Sequence, residues 1–408
     1  MTSSPAVGSS VVRHPWVLRQ HVRSVLEFYY PNALDDVYGG FVAQLDEEDG
    51  HLYDGRTKHV VATARFVVTH CIGVRIEGPH WCRSAAERGL HFLLDYHWDD
   101  DANGFDWITA GTDPEDRTRY CYGHAFALLA CAHAASIGIE RAQKGLERTQ
   151  RVIRDRFWEA EHGLPIAETS SDWSAVDPYR GLNATMHLCE ASIAAYEATG
   201  ESRFLEQAVA LAELVRTPTN PASDHGFVWE HYTADWEPDW AYNRNDPEHT
   251  FRPWGYQPGH QLEWAKLLCL LDDHRDEAWF LERATELFDA AVEYGWDDDS
   301  GGFYYTLDRD GEPLVTDRYG WPIAEAIGAG ALLATRTTSP RYWELYDECW
   351  QYARENLINH RYGNWRTGVT SEGDSIDPRP RPAVEPGYHP IGNTFEAMRK
   401  LERTTERR

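Results

Sequence analysis

Trp296-Asp297-Asp298-Asp299-Ser300-Gly301-Gly302-Phe303-Tyr304-Tyr305-Thr306 is an acidic turn, closed by glycine, that runs into an aromatic and β-prone stretch. The pattern of a Gly-centred turn leading into an aromatic or apolar stretch recurs at Tyr38-Gly39-Gly40-Phe41, Asn103-Gly104-Phe105, His162-Gly163-Leu164, His225-Gly226-Phe227 and Tyr362-Gly363-Asn364-Trp365. The central glycines stand at 40, 104, 163, 226, 302 and 363, so the spacings are 64, 59, 63, 76 and 61. A period of that size marks a repeat architecture.

Each period has room for two helices, and the apolar pattern supplies two. They are expected at 57–76 and 80–97, 118–137 and 139–157, 182–199 and 201–216, 258–273 and 275–295, and 321–335 and 340–357. Apolar residues recur at i, i+3, i+4 and i+7, as in Ala125, Leu128, Leu129 and Ala132. A single helix follows Gly363 (389–402), and a single one precedes Gly40 (12–30). An open solenoid has no reason to begin and end on half a repeat. The two halves can pair and close a ring, which predicts an all-α (α/α)6 barrel of six helical hairpins, with short β-hairpins at one rim. The acidic clusters before the glycines read as solvated turn residues; the ligand spacing of a calcium loop is missing from them.

The repeat runs from end to end without a linker, so residues 1–408 read as one catalytic domain, with 1–10 a disordered tail. There is no run of 18 apolar residues and no charged segment leading into an apolar one, which points to a soluble, cytoplasmic protein. Seven cysteines lie singly, most within helical pattern, as reduced and packed thiols would. The net charge is −27, with four lysines (Lys58, Lys144, Lys266, Lys400) against thirty-five arginines. Such a surface repels nucleic acid and anionic membranes. It also resembles a high-salt adaptation, in which salt screens the repulsion between carboxylates.

If the helix after each Gly element lines the barrel, its first turns face one mouth. Those positions hold Arg65, His124, His187, His260, Trp321 with Glu325, and His389. Histidine at four of six is well above its usual share. His124 alone reads as a hydrogen-bonded core residue or as a mouth residue contacting substrate. His260 follows Pro258-Gly259, with Glu263 on the same face. A metal would need three or more convergent ligands, and no such set stands out, so none is expected. Two histidines on opposite walls suit proton transfer at neutral pH. The 226–259 segment, which causes the long spacing, carries Trp229, His231, Tyr232, Trp236, Trp240, Tyr242, Arg244, Arg252 and Trp254. It reads either as the aromatic wall of a sugar pocket or as a structural insertion packed on the rim.

Four motifs carry a family resemblance: Tyr179-Arg180-Gly181-Leu182-Asn183-Ala184-Thr185-Met186-His187, Pro258-Gly259-His260-Gln261-Leu262-Glu263-Trp264, Trp321-Pro322-Ile323-Ala324-Glu325-Ala326 and Gly387-Tyr388-His389. Together they resemble the N-acylglucosamine 2-epimerase superfamily over nearly the whole chain. Asn243-Arg244-Asn245-Asp246-Pro247-Glu248-His249 and Gly311-Glu312-Pro313 are most similar to its aldose–ketose isomerase branch, which acts on mannose and fructose or on sulfoquinovose. The resemblance implies a monosaccharide substrate, no metal and no organic cofactor, in a protein working as a monomer or homodimer. It implies that His260 and His389 are the acid/base pair and that Arg65 binds sugar hydroxyls and steadies an enediolate. His187, with Asn183 one turn before it, would contact substrate oxygens. Glu263 would orient a histidine and bond the sugar, Trp321 would form an aromatic wall, and Arg252 stands where relatives have a basic residue. Val61 departs from the large aromatic that some relatives carry. Two other functions fit the same barrel: a glycoside hydrolase using Glu263 and Glu325 as opposed carboxylates, and a non-catalytic sugar-binding protein.

Overall fold

The computed structural model describes residues 11–406; the expected tail at 1–10 lies outside the described residues. Among the described residues there are twelve α-helices. The outer set is α1 (Pro15–Tyr29), α3 (Cys82–Asp95), α5 (Glu140–Val152), α7 (Ser202–Ala212), α9 (Ala278–Gly295) and α11 (Arg341–Tyr352). The inner set is α2 (Val60–Arg75), α4 (Cys121–Ser136), α6 (Leu182–Thr199), α8 (Pro258–Asp272), α10 (Gly320–Arg336) and α12 (Tyr388–Glu406). Consecutive inner helices pack side by side, and α12 returns to α2. Outer helices pack on the inner helix of their own hairpin, and α1 packs on α12, so the two half-repeats close the ring as the spacing predicted. Inner helices are buried on nearly every face, whereas outer helices carry one apolar stripe.

The predicted boundaries hold to within a few residues. α5 and α11 each end in a single wide turn, Ile153–Phe157 and Ala353–Leu357, just before a Gly element. Five Gly elements pair across the turn: Leu34 with Phe41, Trp98–Asp99 with Gly104–Phe105, Trp158–Glu159 with Leu164–Pro165, Trp296 with Phe303, and Ile358 with Trp365. Gly302 has φ +87°, and a β-carbon there would meet the Tyr352 ring at 2.7 Å. In the second copy, Asn103 adopts the left-handed conformation instead, at φ 57°.

The acidic residues before these glycines are not all solvated. Asp99 and Asp297 are buried, while the two acids after each are exposed. The buried acid accepts bonds from the turn's own amides, at Asp101 and Ala102 in one case and at Asp299 and Ser300 in the other. It also pairs with a base standing two residues before the next inner helix. Asp99 pairs with Arg119 at 2.6 Å, Asp35 with Lys58 at 2.5 Å, Glu159 with Arg180 at 2.6 Å, and Asp297 with Arg318. Four of the six repeats are therefore stapled between the turn and the start of an inner helix. The staples set the entry point of those helices at the rim.

Three of the four lysines (Lys58, Lys266, Lys400) are buried, so the exposed surface is almost without lysine. All seven cysteines are buried and unpaired. No helix among the described residues is long and apolar enough to cross a membrane.

Candidate active site

Every inner helix begins at the rim that carries the hairpins, so equivalent residues fall into layers around the axis. The second residues are Val61, Tyr122, Asn183, Gly259, Trp321 and His389; the sixth are Arg65, Phe126, His187, Glu263, Glu325 and Asn393. Four residues apart on a helix is one turn on the same face, so the first set forms a mouth and the second a floor. Tyr122, Asn183, Trp321 and His389 line one cavity with Arg65, His187, His260 and Glu263. The floor residues touch in series: Arg65 stacks on Phe126 at 4.5 Å, Phe126 meets His187 at 4.6 Å, and His187 Nδ1 is 3.8 Å from Glu263. The N-terminal ends of six helices converge on the mouth, which favours negative charge there.

Three cavity histidines share one device. His389 Nδ1 is 2.7 Å from Glu325 Oε1, His260 Nδ1 is 2.8 Å from Glu230 Oε2, and His187 Nδ1 is 3.0 Å from Glu190 Oε2. An ionised glutamate fixes the proton on Nδ1 and leaves Nε2 as the acceptor. For His389 a second contact agrees: the Arg65 guanidinium, which can only donate, points Nη2 at His389 Nε2 across 3.4 Å. Trp321 lies between the two expected acid/base residues, with ring centroids 5.2 Å from His260 and 5.7 Å from His389. Gly259 makes room for that indole, since a β-carbon there would sit 2.3 Å from it.

The floor is a cluster of buried charges. Arg65 is clasped between Phe126 and Tyr388 and also bonds Glu385 Oε2 at 3.1 Å. Burial, and next the neighbouring Glu325 charge, push the Glu263 carboxyl well above the usual carboxylate range. Burial works to raise Glu190 and Glu325 as well. In Glu190 the His187 bond and then Lys266 overcome it; in Glu325 Lys266 does so first, with the His389 bond, and holds it at about 2. His187 is lowered to about 4, chiefly by burial, and is neutral at pH 7. Two sets of potential metal ligands exist among the described residues, His187–Glu190–Glu263 and Glu263–Glu325–His389. In the second, the Lys266 ammonium already serves as the cation, 2.6 Å from Glu325 and 3.7 Å from Glu263.

Three expected substrate contacts lie elsewhere. His124 accepts a bond from the Phe105 amide at Nε2 and donates from Nδ1 to the Tyr120 carbonyl, so both ring nitrogens are spent on backbone. It is the fourth residue of α4, about 200° around the helix from Tyr122, and faces the hairpin. Arg252 bonds Glu168 and Tyr242 and stacks on Tyr179, bordering a neighbouring cavity instead. Glu325 is fully buried behind His389. Glu263 and Glu325 flank one ammonium, and Glu325 does not line the cavity, so these two do not form the opposed pair expected of a glycosidase.

The tryptophans of the long segment pack mainly on each other, Trp229 against Trp240 and Trp254. That segment gives the cavity Phe251, Thr250 and Gln257, and supports it with Glu230. Sequence reasoning missed Glu230, Glu385, Phe251 and Tyr122. Only Tyr122 had a readable signal, its place two residues into an inner helix.

A profile of the N-acylglucosamine 2-epimerase (GlcNAc 2-epimerase) family matches residues 39–392. Among curated proteins, the chain is 38% identical to a D-mannose isomerase of Marinomonas mediterranea, over 94% of this chain and 97% of that one. It is 32% identical to a D-mannose isomerase of Pseudomonas cannabina pv. alisalensis, over 95% of this chain and 92% of that one. Among solved structures, a D-mannose isomerase superposes with a TM-score of 0.91 at 37% identity, covering 96% of this chain and 100% of that one.

Proposed function

The chain belongs to the N-acylglucosamine 2-epimerase family, and on that premise we propose that it is an aldose–ketose isomerase interconverting D-mannose and D-fructose. The observation that carries the reading is a cavity with two histidines, each held by a buried glutamate so that Nε2 is a base, and a guanidinium beside one of them. Proton abstraction next to a carbonyl needs this equipment. Residues 1–408 are proposed to act as one catalytic domain on a free monosaccharide, as a monomer or homodimer.

In the proposed sequence, His260 takes the anomeric hydroxyl proton and delivers it to the ring oxygen as the bond between C1 and that oxygen breaks, giving the open-chain aldose with His260 neutral again. His389 Nε2 then removes the C2 proton, and the C–H electron pair moves into the C1–C2 bond to form a cis-enediolate. Arg65 faces the developing oxyanion, a role worth about 3 kcal/mol for one well-aimed donor. His187, with its Nδ1 proton committed to Glu190, accepts a bond from a sugar hydroxyl, and Glu263 hydrogen-bonds another. His260 moves the proton between O2 and O1, and His389 returns its proton to C1. The acid/base groups contribute roughly 10²–10⁴ each in rate.

One observation also favours 2-epimerisation as a slower side reaction. His260 lies beyond Trp321 from His389, where it can return a proton to the opposite face of C2. Incubating the protein with D-mannose and following the sugars by NMR tests both. Fructose as the main product supports isomerisation; glucose or no conversion would count against it.

A further inference from the structure

Lys266 lies at the centre of the floor's charges, yet no motif of the sequence singles it out. It is the ninth residue of α8, one turn below Glu263. Its Nζ is 2.6 Å from Glu325 Oε2, and the residue is 5% exposed. Glu325 is fully buried, and its other oxygen accepts from His389 Nδ1 and from Asn393 Nδ2, both at 2.7 Å. A carboxylate enclosed in this way takes up a proton unless a cation stands against it. The other charged or titratable groups facing the pair are Glu190 from α6, Glu263 from α8 and His389 from α12, and the Nε2 edge of His389 is faced by Arg65 Nη2 at 3.4 Å and by Glu385 Oε2 at 3.6 Å. Lys266 is the cation nearest Glu325.

We propose that Lys266 is a positioning residue for the isomerisation proposed above: it keeps Glu325 ionised, which fixes the His389 proton on Nδ1 and leaves the Nε2 lone pair free to take the C2 proton. The inference rests on that functional reading. With a neutral Glu325 the hydrogen bond reverses. The carboxyl O–H donates to Nδ1, the ring proton moves to Nε2, and the C2 proton has nowhere to go. In the working form the C2–H bond breaks and an Nε2–H bond forms, giving an imidazolium shared with Glu325. When the enediolate collapses, that N–H bond breaks and a C1–H bond forms. The Arg65 contact to Nε2 agrees, because a guanidinium donates only to a lone pair. A cavity of about 60 Å³ below the pair, bordered by Lys266, Glu325, Glu190 and Gly392, has room for water. Through it Glu325 can follow the bulk pH.

Two measurements test this. In the wild-type protein labelled with ¹⁵N-histidine, the His389 signals are identified by their loss in His389→Gln. The expected tautomer near pH 7.5 is Nδ1-protonated; an Nε2-protonated ring overturns the proposal. In Lys266→Met, kcat for mannose at pH 7 should fall by about 10²–10⁴-fold while KM stays within about threefold. It should recover by at least about tenfold towards pH 9, as Glu325 ionises. An unchanged kcat, or a loss that pH does not relieve, overturns it. Should the wild type turn over no mannose, the functional proposal fails alone, because the tautomer still decides the role of Lys266. The wild-type tautomer also decides it if the variant does not fold.

Discussion

Arg65 Nη2 stands 3.4 Å from His389 Nε2, so the cation and the proposed base address the same edge of the cavity. The residues are 324 positions apart and meet because α12 closes the ring against α2. A sugar held there would present its C2 hydrogen to the imidazole and its neighbouring oxygens to the guanidinium. His389→Asn is therefore expected to lower isomerisation by about 10²–10⁴-fold, and Arg65→Met to lower kcat by about 10²–10³-fold. The double substitution should cost less than the two losses multiplied, because both act on one transition state. Fructose formation by ¹H NMR measures all three.

His260 is placed to move oxygen-bound protons while His389 handles carbon. His260→Asn should then slow net conversion in D2O more than it slows exchange of the C2 hydrogen in recovered mannose. Equal slowing of both would take the O2-to-O1 transfer away from His260 and leave it the ring-opening step alone.

His124 and Arg119 belong to the scaffold. His124→Leu leaves the buried Phe105 amide without its partner, removes one of the bonds to the Tyr120 carbonyl, and should cost about 1–3 kcal/mol of stability. Arg119→Met leaves the buried Asp99 and Asp106 only the half-exposed Arg117, at 3.8 and 3.7 Å, and should cost about 3 kcal/mol. In both variants kcat/KM per folded molecule should match the wild type. Urea midpoints with matched kinetics check this, and a large loss of kcat/KM in folded His124→Leu would return that residue to the active site.

Burial holds eight histidines far below their ordinary 6.5: His59, His97 and His124 at about 3, and His21, His70, His133, His187 and His231 at about 4. These groups bind a proton only after unfolding, so between pH 6.5 and those values the unfolded chain holds the extra protons. Stability therefore falls as pH falls through that window, by up to about 1.4 kcal/mol per unit for each group. Glu190 and Glu325, held low by their partners, add to the loss below about pH 4.5, while Glu263 works the other way. The urea midpoint should drop steeply from pH 6.5 to 4.5 and change much less between 7 and 8.

With −27 net charge and three of four lysines buried, surface carboxylates repel one another in dilute buffer. The thermal midpoint is expected to rise from dilute buffer to molar KCl as salt screens them. Equal midpoints would remove the high-salt interpretation.

Much of the site was readable because the repeat acts as a ruler. Once the Gly elements mark where inner helices begin, the first turns of those helices give Arg65, His187, His260, Trp321, Glu325 and His389, while the roles expected of Asn183 and Glu263 came from the family resemblance. His124 was misjudged on the same ruler, because the fourth position turns away from the axis. Arg252 was misjudged because its loop has no periodicity to say which way a side chain points.

The sequence by itself determined the closed ring of twelve helices, the mouth and three of the four histidines expected there, since local turn chemistry and helical period are properties of neighbouring residues. The tertiary structure alone decided which glutamate holds which histidine, and that Lys266 stands between two carboxylates. Glu230 reaches His260 from a loop 30 residues away, and Glu325 reaches His389 across 64. Those pairings depend on the depth and rotation of separate elements packed in a closed barrel, which no local pattern encodes. They in turn set which ring nitrogen is the base and which carboxyl is pushed above its usual range.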